Sequence, residues 1–454
     1  MPTLVINAPL FGDMFGTTTM RARFSDDAMM THYLEVWRGL ARAQARLGVI
    51  PAAAGEAIER VLSLPDLLTQ LDHPQLAART QIVGYPILPL LEQLVPLVPN
   101  DHGQALHWGA TTQDIMDTAD VLQARAGLDE VDAQLARIAT ALADLAQAHA
   151  RTAMAGRTHL QHALPVSFGF KCATWLAAID RHRARLADLR PRLEVVQFAG
   201  AAGTLASLKG EGLAVQHGLA RELRLGVPAI TWHTLRDGFA ETTGLLALVA
   251  GTLGKIGFDI MLMMQTETGE VLEPFVEGRG ASSTMPQKRN PIASEVMVAM
   301  AKLVREQHSA MLDALVQDHE RATGPWHVEW HALPSAFVLT SAALQAAAAT
   351  LEGLEVRPDA MADGLARTGG LIVAEAVMMG LAPTIGRQVA HDVVYACCRR
   401  ALAGERAFVD ALLDDAQIAA AFSRAQIEAL VDPAHYLGEA PEMVARLLAA
   451  RKPS

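Results

Sequence analysis

The chain has 454 residues, which is too long for one ordinary hydrophobic core and predicts several domains or one long bundle with smaller end pieces. Apolar residues make up 51 % of the chain and aromatic residues only 5 %, a balance carried by Ala and Leu that favours helix packed on helix. The formal net charge of -11 excludes a broad basic surface for nucleic acid, so an acidic substrate would need a local cationic site.

The cysteines and the N-terminal sequence predict a location in the reducing cytoplasm. Cys172, Cys397 and Cys398 are too few and too unevenly spaced for a disulfide framework or a zinc site. The N-terminus has an early proline and no basic segment before an apolar run, unlike a signal peptide. Because no run of about 20 uninterrupted apolar residues occurs, no membrane-spanning segment is expected.

Long helices are predicted along most of the chain. The first spans residues 25–48, between the cap Ser25 and the stop at Gly48 and Pro51. From Leu128 onward, apolar residues recur every three or four positions, which is typical of a long packed helix. Comparable helices are predicted at 167–193, 238–266, 292–317 and 335–355. No alternating strand pattern is found, so the fold class is all-α, with a long central helix bundle.

Three polar, glycine-containing loops separate these helices. They read HWGATTQD at 107–114, GRTHLQHALP at 156–165 and EGRGASSTMPQKRNPIASE at 277–295. Loops at the ends of a bundle are where polar groups converge. Shorter helices follow Val356, so we predict an N-terminal helical domain at 1–106, the bundle at 107–355 and a C-terminal helical domain at 356–454.

The third loop carries the strongest chemical pattern. Ser282 and Ser283 do not fit the G-x-S-x-G pattern of a hydrolase after a strand, so a nucleophilic triad is poorly supported. Lys288 and Asn290 could instead clamp a carboxylate and lower the pKa of a nearby hydroxyl. A solvated polar turn is the alternative interpretation of the serine pair alone.

The other two loops contain histidines and hydroxyl groups. His159 could transfer a proton near pH 7, although a surface or capping histidine is the simpler interpretation of one residue alone, and His162 is a local competitor. His107, Thr111 and Thr112 are consistent with an anion pocket, and a helix N-cap explains them equally well.

Taken together, these strings resemble the fumarase/aspartase superfamily, which includes fumarase, aspartase, argininosuccinate lyase, adenylosuccinate lyase and 3-carboxy-cis,cis-muconate cycloisomerase. SSTMPQKRNP resembles the superfamily signature, HWGATTQDIMDTA its second conserved region and GRTHLQHALP the loop that holds its acid histidine. They occur in the family order. QDHERATGPWHVEWHALP, WHTLRD and DPAHYLG look most like the cycloisomerase branch.

The resemblance implies a cofactor-free and metal-free lyase that catalyses anti elimination or its reverse. It implies a homotetramer around a 20-helix core, with each active site built from three subunits, and a small di- or tricarboxylate substrate. By this analogy Ser282 is the base, and His159, with Glu295 as its partner, is the proton donor. The implied substrate-binding residues are Lys288, Asn290, Thr111, Thr112, Gln161, His107, Ser283 and Arg321. The third loop would close over the substrate.

Two positions depart from the cycloisomerase pattern. Cycloisomerases carry Trp in a string RTWLQ, whereas this chain has His159 in RTHLQ, as the fumarases and lyases do. Tyr85 and Pro86 stand where cycloisomerases carry Asn-Ser and adenylosuccinate lyases a histidine. The sequence therefore favours C–N cleavage, or less readily C–O cleavage, of a succinyl-type substrate with release of fumarate.

Three alternatives remain open at this point. The first is a 3-carboxy-cis,cis-muconate cycloisomerase of the same fold. The second is a non-catalytic structural protein like the lens crystallins, which the presence of His159 and Ser282 argues against. The third is a serine hydrolase.

Overall fold

The computed structural model describes residues 5–278, 280, 284–285 and 287–451. Over these residues the fold contains 19 α-helices and four short strands, which confirms the all-α class. The elements follow one another along the chain as α1 Gly12–Phe15, α2 Thr18–Arg23, α3 Asp26–Arg46, α4 Ala52–Leu62, α5 His73–Val83, α6 Ile87–Leu94, α7 Thr112–Ala148, β1 Ala153–Thr158, β2 Gln161–Ser167, α8 Phe168–Leu193, α9 Gly212–Leu223, α10 Asp237–Met263, β3 Val271–Leu272, α11 Ile292–Asp313, α12 Pro325–Glu352, β4 Glu355–Val356, α13 Pro358–Ala366, α14 Ala374–Ile385, α15 Arg387–Leu402, α16 Phe408–Leu413, α17 Ala416–Ala421, α18 Arg424–Leu430 and α19 Ala440–Ala450.

The long helices begin where local capping chemistry dictates. Ser25 has an extended backbone, and its hydroxyl accepts the Ala28 N–H at 3.2 Å, so α3 begins at Asp26 with two aspartates in its first turn. The last turn of α3 is followed by Gly48, whose φ of 72° no β-branched residue would adopt readily. The predicted helix at 335–355 in fact begins ten residues earlier, at Pro325, because proline is well suited to the first helical turn.

The chain divides into two compact units. Unit 1 comprises residues 1–134, 182–251 and 299–345, and unit 2 comprises 135–181, 252–298 and 346–454. In unit 1, α3 packs closely against α4 and α9. A Cβ atom added at Gly55 would lie 2.5 Å from the Ala45 Cβ, and one added at Gly39 would lie 3.2 Å from the Leu219 side chain. Small residues thus permit the close helix contacts that an Ala-rich composition favours.

Unit 2 contains the C-terminal helices around a core of its own. Val377, Leu381, Val394, Phe408 and Ile427 are buried there between α14, α15, α16 and α18. Burying side chains of this size contributes about 1.5–3 kcal/mol each relative to leaving them exposed. The proposed division at 106 and 355 remains a prediction from sequence.

Helices α10 and α12 are long and apolar enough to cross a membrane by length and composition alone, with mean hydropathies of 1.7 and 1.4. The expectation of no membrane span considered only uninterrupted apolar runs and did not anticipate this. Within the chain, 72 % of the most apolar window of α12 is buried, as in a packed bundle helix, whereas 50 % of the corresponding window of α10 is buried.

Candidate active site

The predicted threonine pair lies at the start of the longest helix. Thr112 is the first residue of α7, and Thr111 precedes it. Both are partly exposed, and within the described part of the chain neither hydroxyl has a hydrogen-bond partner. The backbone N–H of Thr111 donates to the Asp114 carboxylate at 2.9 Å, so the turn is held by its own side chain. The two hydroxyls are left available to a ligand.

Asp114 organises the turn from inside unit 1. Its two oxygens accept the backbone N–H groups of Ala199 and Gly200 at 2.9 Å and bond His233 Nε2 at 2.8 Å. The carboxylate is fully buried, and burial of this kind requires a partner for each oxygen. A segment distant in sequence is thereby fastened to the threonine turn. The sequence alone indicates no role for this aspartate.

His107 is held in one tautomer by an indole. Trp37 Nε1 donates to His107 Nδ1 at 3.0 Å, so the ring proton lies on Nε2. Burial lowers the pKa of His107 to about 4, although the Asp114 carboxylate acts in the opposite direction. His107 is therefore a neutral hydrogen-bond donor at neutral pH, with a backbone φ of 66° that positions the following turn.

Arg321 is joined to the same turn. Its guanidinium donates to the Gln113 side-chain oxygen at 2.9 Å and to the Ala201 carbonyl at 2.8 Å. Gln113 in turn donates to the His233 carbonyl at 2.8 Å. In unit 1 the predicted substrate-binding groups therefore belong to one turn or contact it. They are His107, the threonine pair and Arg321.

A buried ionic network lies one helical turn further along α7. Arg236 donates to both oxygens of Asp117, at 2.8 and 3.0 Å, and to both oxygens of Glu329, at 2.7 to 3.0 Å. Burial opposes the charge on Arg236, but attraction from the two carboxylates outweighs it and raises its pKa. Glu329 also accepts Gln317 Nε2 at 2.9 Å. The sequence alone indicates none of these roles, since a single charged residue carries no local sign that it is buried and paired.

In unit 2, the predicted loop 156–165 is a β-hairpin. Strands β1 and β2 pair antiparallel, with Thr158 opposite Gln161, and only His159 and Leu160 form the turn. Their φ angles are 49° and 63°, as a two-residue hairpin turn of type I′ requires. The prediction of a loop was wrong because hairpin pairing needs no long alternating pattern when the turn itself fixes the register.

The hairpin presents His159 and Gln161 to solvent at its tip. Both residues are exposed, and Leu160 between them is 72 % exposed. His162, the local competitor, is half-buried, and its Nδ1 atom has no partner among the described residues. Burial lowers the pKa of His162, with the neighbouring Arg157 acting in the same direction. Of the two histidines, His159 is the one that a ligand can reach in this chain.

An ion pair anchors the base of the hairpin. Arg157 donates to both carboxylate oxygens of Glu270, at 2.9 and 2.7 Å, and Glu270 is fully buried. Bidentate pairs of this kind fix orientation as well as providing attraction. The tip is therefore carried on a paired strand, and its base is held by a buried carboxylate that the sequence did not single out.

The signature loop is fastened at its C-terminal end. Glu273 is buried and accepts the backbone N–H groups of Ala293 and Ser294 at the start of α11, at 3.2 and 2.8 Å. Asn290 Nδ2 donates to the Gly280 carbonyl at 3.0 Å. A Cβ at Gly280 would lie 2.7 Å from the Asn290 carbonyl oxygen, so the close approach and the φ of 68° both require glycine.

The structure describes the surroundings of only some of the remaining predicted residues of unit 2. Lys288 is exposed, and its ammonium has no partner within the described residues. Glu295 is exposed in the first turn of α11, and no hydrogen bond or ion pair joins it to His159 within this chain. Ser282 and Ser283 lie outside the described residues. The roles of base, acid and acid partner remain predictions.

No group of three or more His, Cys, Asp or Glu side chains in the described ranges is arranged to hold a metal ion. Hydroxyl, amide, imidazole and cationic side chains are among the polar groups of the three motifs. Such groups can bind carboxylates and transfer protons. A helical protein with these motifs on bundle-end turns, a hairpin and a glycine-flanked loop has the features of a helical lyase.

The chain belongs to the fumarase/aspartase superfamily. The family described as "Lyase" matches residues 13–305, and "Adenylosuccinate lyase C-terminus" matches residues 370–447. The chain is 46 % identical to "Trans-aconitate decarboxylase 1" of Mycosarcoma maydis, over 99 % of this chain and 90 % of that protein. It is also 46 % identical to a "3-carboxy-cis,cis-muconate cycloisomerase" of Pseudomonas aeruginosa, over 97 % and 96 %.

Solved structures agree with this assignment. A "fumarate lyase from Mesorhizobium sp. BNC1" is 49 % identical with a TM-score of 0.91, covering 98 % of this chain and all of that one. By sequence, the chain is also similar to a more distant protein, the "N-acetyl-S-(2-succino)cysteine lyase" of Enterococcus italicus. The two are 36 % identical over 99 % of this chain and 98 % of that protein. The chain is therefore a lyase of this superfamily.

Proposed function

We propose that the protein catalyses anti elimination, and the reverse addition, at a succinyl-type dicarboxylate, breaking a C–N bond and releasing fumarate. The observation that carries this proposal is the position of His159, an exposed imidazole on the two-residue tip of an anchored hairpin. An imidazole there can approach a heteroatom on a bound substrate and give it a proton near neutral pH.

The elimination needs a base and an acid on opposite faces of the substrate. Ser282, as its alkoxide, would remove the proton from the carbon next to a carboxylate, and the electron pair would spread into that carboxylate. The C–N bond then breaks, its electron pair leaves with nitrogen, and His159 protonates the departing amine. A C=C bond forms between the two carbons. General acid catalysis of this kind typically contributes a hundred- to ten-thousand-fold in rate.

The carboxylates of the substrate would be bound by separate groups. Lys288 offers an exposed ammonium, which would stabilise the charge that develops on the enediolate. Thr111 and Thr112 offer hydroxyl groups without partners in the described chain, beside the neutral donor His107. Asn290 already donates one N–H to Gly280, so its remaining N–H is the one available to substrate.

The second candidate function is 3-carboxy-cis,cis-muconate cycloisomerisation. It is favoured by the 46 % identity to a protein of that name over nearly the whole chain. In that reaction a carboxylate and a double bond of one molecule form a lactone, so no group leaves. The presence of His159 where the cycloisomerase string has Trp is the feature that favours elimination of a separate leaving group.

The test compares four reactions on the same preparation. Fumarate would be incubated with a panel of amines and thiols, and succinyl adducts measured by mass spectrometry; the thiols are included because one relative is named a succinocysteine lyase. Lactone formation from 3-carboxymuconate and CO₂ release from trans-aconitate would be measured alongside. An amine adduct supports the proposal. Efficient lactone formation without any adduct would assign the second function, and release of CO₂ alone would exclude both.

A further inference from the structure

Unit 1 contains a cavity of about 820 Å³ between α3, α5, α7 and α12. Most of its wall is apolar, with Phe24, Met29, Leu76, Met116 and Leu333 among the lining side chains. This volume is within the range of small-molecule sites. Unbranched methionines on the wall let such a cavity adapt to the shape of a guest.

One end of the cavity is polar and its hydrogen bonds are incomplete. Tyr33 is fully buried and lines the cavity, and its hydroxyl has no hydrogen-bond partner among the described residues. Asp120 also lines the cavity, and its carboxyl forms no hydrogen bond or ion pair with any described residue. A buried hydroxyl without a partner costs free energy, so this end of the cavity is suited to a polar group of a guest.

The charges around the cavity select the sign of that group. Asp26, Asp120 and Glu329 line it, and its lining includes neither lysine nor arginine. Arg236, a cation that acts on Asp120, is already paired with Asp117 and with Glu329. In their ionised forms these carboxylates repel an anion, so a polycarboxylate is disfavoured there. A cation would be attracted, and an aromatic side chain that can interact favourably with a cation, Trp330, also lines the cavity.

We propose that this cavity binds an amphiphilic organic monoamine, with its ammonium group at Asp120 and the Tyr33 hydroxyl oxygen and its hydrocarbon body along the methionine and leucine wall. The guest is a single positive charge on an apolar body of roughly one ring and a short chain. None of the described residues assigned above to the lyase reaction lines this cavity, so the guest is placed apart from that chemistry.

Protonation of Asp120 gives the proposal a pH signature. Burial raises the pKa of Asp120 well above its ordinary value, and the Asp117 carboxylate acts in the same direction. An ammonium group favours the ionised carboxyl, so binding releases protons wherever free Asp120 is protonated. Affinity should therefore fall as the pH is lowered. The other titratable or charged groups around this end are Asp26 and Tyr33 on α3, His73 on α5, Asp117 on α7, Arg236 before α10 and Glu329 on α12.

The test uses three probes of one shape on the full-length protein. 4-Phenylbutylamine is a cation, 4-phenylbutan-1-ol is neutral and 4-phenylbutanoate is an anion. Calorimetric titration should give saturable binding of the amine at least tenfold tighter than the alcohol, and no binding of the carboxylate. Titrations in two buffers with different ionisation enthalpies would measure the proton release. Equal binding of amine and alcohol, or tighter binding of the carboxylate, would overturn the proposal.

Substitutions distinguish amine binding in the cavity from amine binding elsewhere on the protein surface. Asp120→Asn should weaken amine binding at least tenfold and abolish the proton release, while the matched control Asp144→Asn, at an exposed position of the same helix, should leave binding unchanged. Any pH dependence that persists in Asp120→Asn belongs to the other titratable groups of this end, namely Asp26, Tyr33, His73 and Glu329. Ala77→Trp, at an exposed position on the cavity wall, should block the amine without touching a charge. Undiminished amine binding in both Asp120→Asn and Ala77→Trp would also overturn the proposal.

Discussion

His159 occupies a backbone position that few side chains tolerate. Its φ of 49° and that of Leu160, 63°, lie in the left-handed region, where Asn is favoured and a branched residue such as Leu is unusual. The turn therefore holds strain that the paired strands on either side must offset. Such strain is commonly retained where a side chain has to be aimed at a ligand.

His159→Asn should remove the proton donor and keep the turn, since Asn adopts positive φ readily. We expect fumarate-forming turnover to fall by about a hundred- to ten-thousand-fold, with a much smaller change in KM because the carboxylate-binding groups are untouched. Steady-state kinetics of elimination would measure it. Leu160→Asn, which alters the same turn without removing an imidazole, is the control and should keep most of the activity. Turnover within tenfold of the parent in His159→Asn would remove His159 from the acid role.

Ser282→Ala tests the other half of the elimination. Loss of the base should lower the rate by several orders of magnitude and leave the helical circular dichroism unchanged. Ser283→Ala is the matched comparison, because a binding hydroxyl should affect KM more than kcat. A Ser282→Ala protein that retains a tenth of the parent turnover would show that another group is the base.

His107 should make the folded state sensitive to mild acid. Its pKa is about 4 in the folded protein, against 6.5 ordinarily, so below pH 6.5 the unfolded chain binds a proton that the folded chain does not. The contribution of His107 to the free energy of unfolding is fully present above pH 6.5. It falls by roughly 2–3 kcal/mol as the pH drops toward 4. Urea unfolding across that range would measure it. His107→Asn keeps a residue suited to positive φ and should flatten the slope; an unchanged slope would assign the acid sensitivity elsewhere.

Among the elements, the hairpin β1–β2 depends on one ion pair for its position. Arg157 binds both oxygens of Glu270, whose carboxylate has no contact with solvent. Removing one partner of a buried pair leaves an uncompensated charge, whereas replacing both with apolar residues is often nearly neutral. Stability and hairpin orientation should therefore respond differently to single and double substitutions.

Arg157→Gln should lower the free energy of unfolding by roughly 3 kcal/mol, because Glu270 is left buried without its cation. The double variant Arg157→Met with Glu270→Met should recover most of that loss while the hairpin is held less firmly. Denaturant unfolding measures the first effect, and kcat measures the second. If the single substitution costs as little as a surface pair, under about 1 kcal/mol, then the pair does not anchor the hairpin.

At the scale of the whole molecule, the long helices leave apolar side chains uncovered. Leu248 and Phe258 on α10 are 54 % and 53 % exposed, and Leu312 on α11 is 48 % exposed. Exposed apolar side chains on long bundle helices are a feature of surfaces that pack against further copies. The shared-site arrangement implied by the family resemblance would use these faces.

Light scattering should therefore give a mass of about four times 48.6 kDa. A charge introduced on this face, as in Phe258→Glu, should dissociate the assembly and abolish turnover together, since each site would lose residues from other copies. Phe11→Glu, at an exposed aromatic residue near the N-terminus, is the control. A dissociated Phe258→Glu protein that retains full turnover would contradict the shared-site arrangement.

The sequence predicted what depends on local pattern and missed what depends on partners far along the chain. The period of apolar residues predicted the long helices, and the cap at Ser25 and the stop at Gly48 marked the ends of α3 closely. The hairpin was missed because its register depends on a two-residue turn. Glu270 and Arg236 were missed because an ionisable residue in a helical chain carries no local sign that its partner lies about 90 to 120 residues away.

The hydrogen bonds of Asp114 also constrain when, during synthesis, the threonine turn can reach its folded arrangement. Its partners Ala199, Gly200 and His233 lie 85, 86 and 119 residues further along the chain. During synthesis the helix that follows Thr111 can grow as soon as its residues emerge, but the turn before it lacks those partners until the ribosome has passed residue 233. At about 5–20 residues per second, that delay is roughly 6–24 seconds. For that interval the threonine turn has its local bond to Asp114 but lacks the long-range ones, so binding competence arises late in the life of the nascent chain.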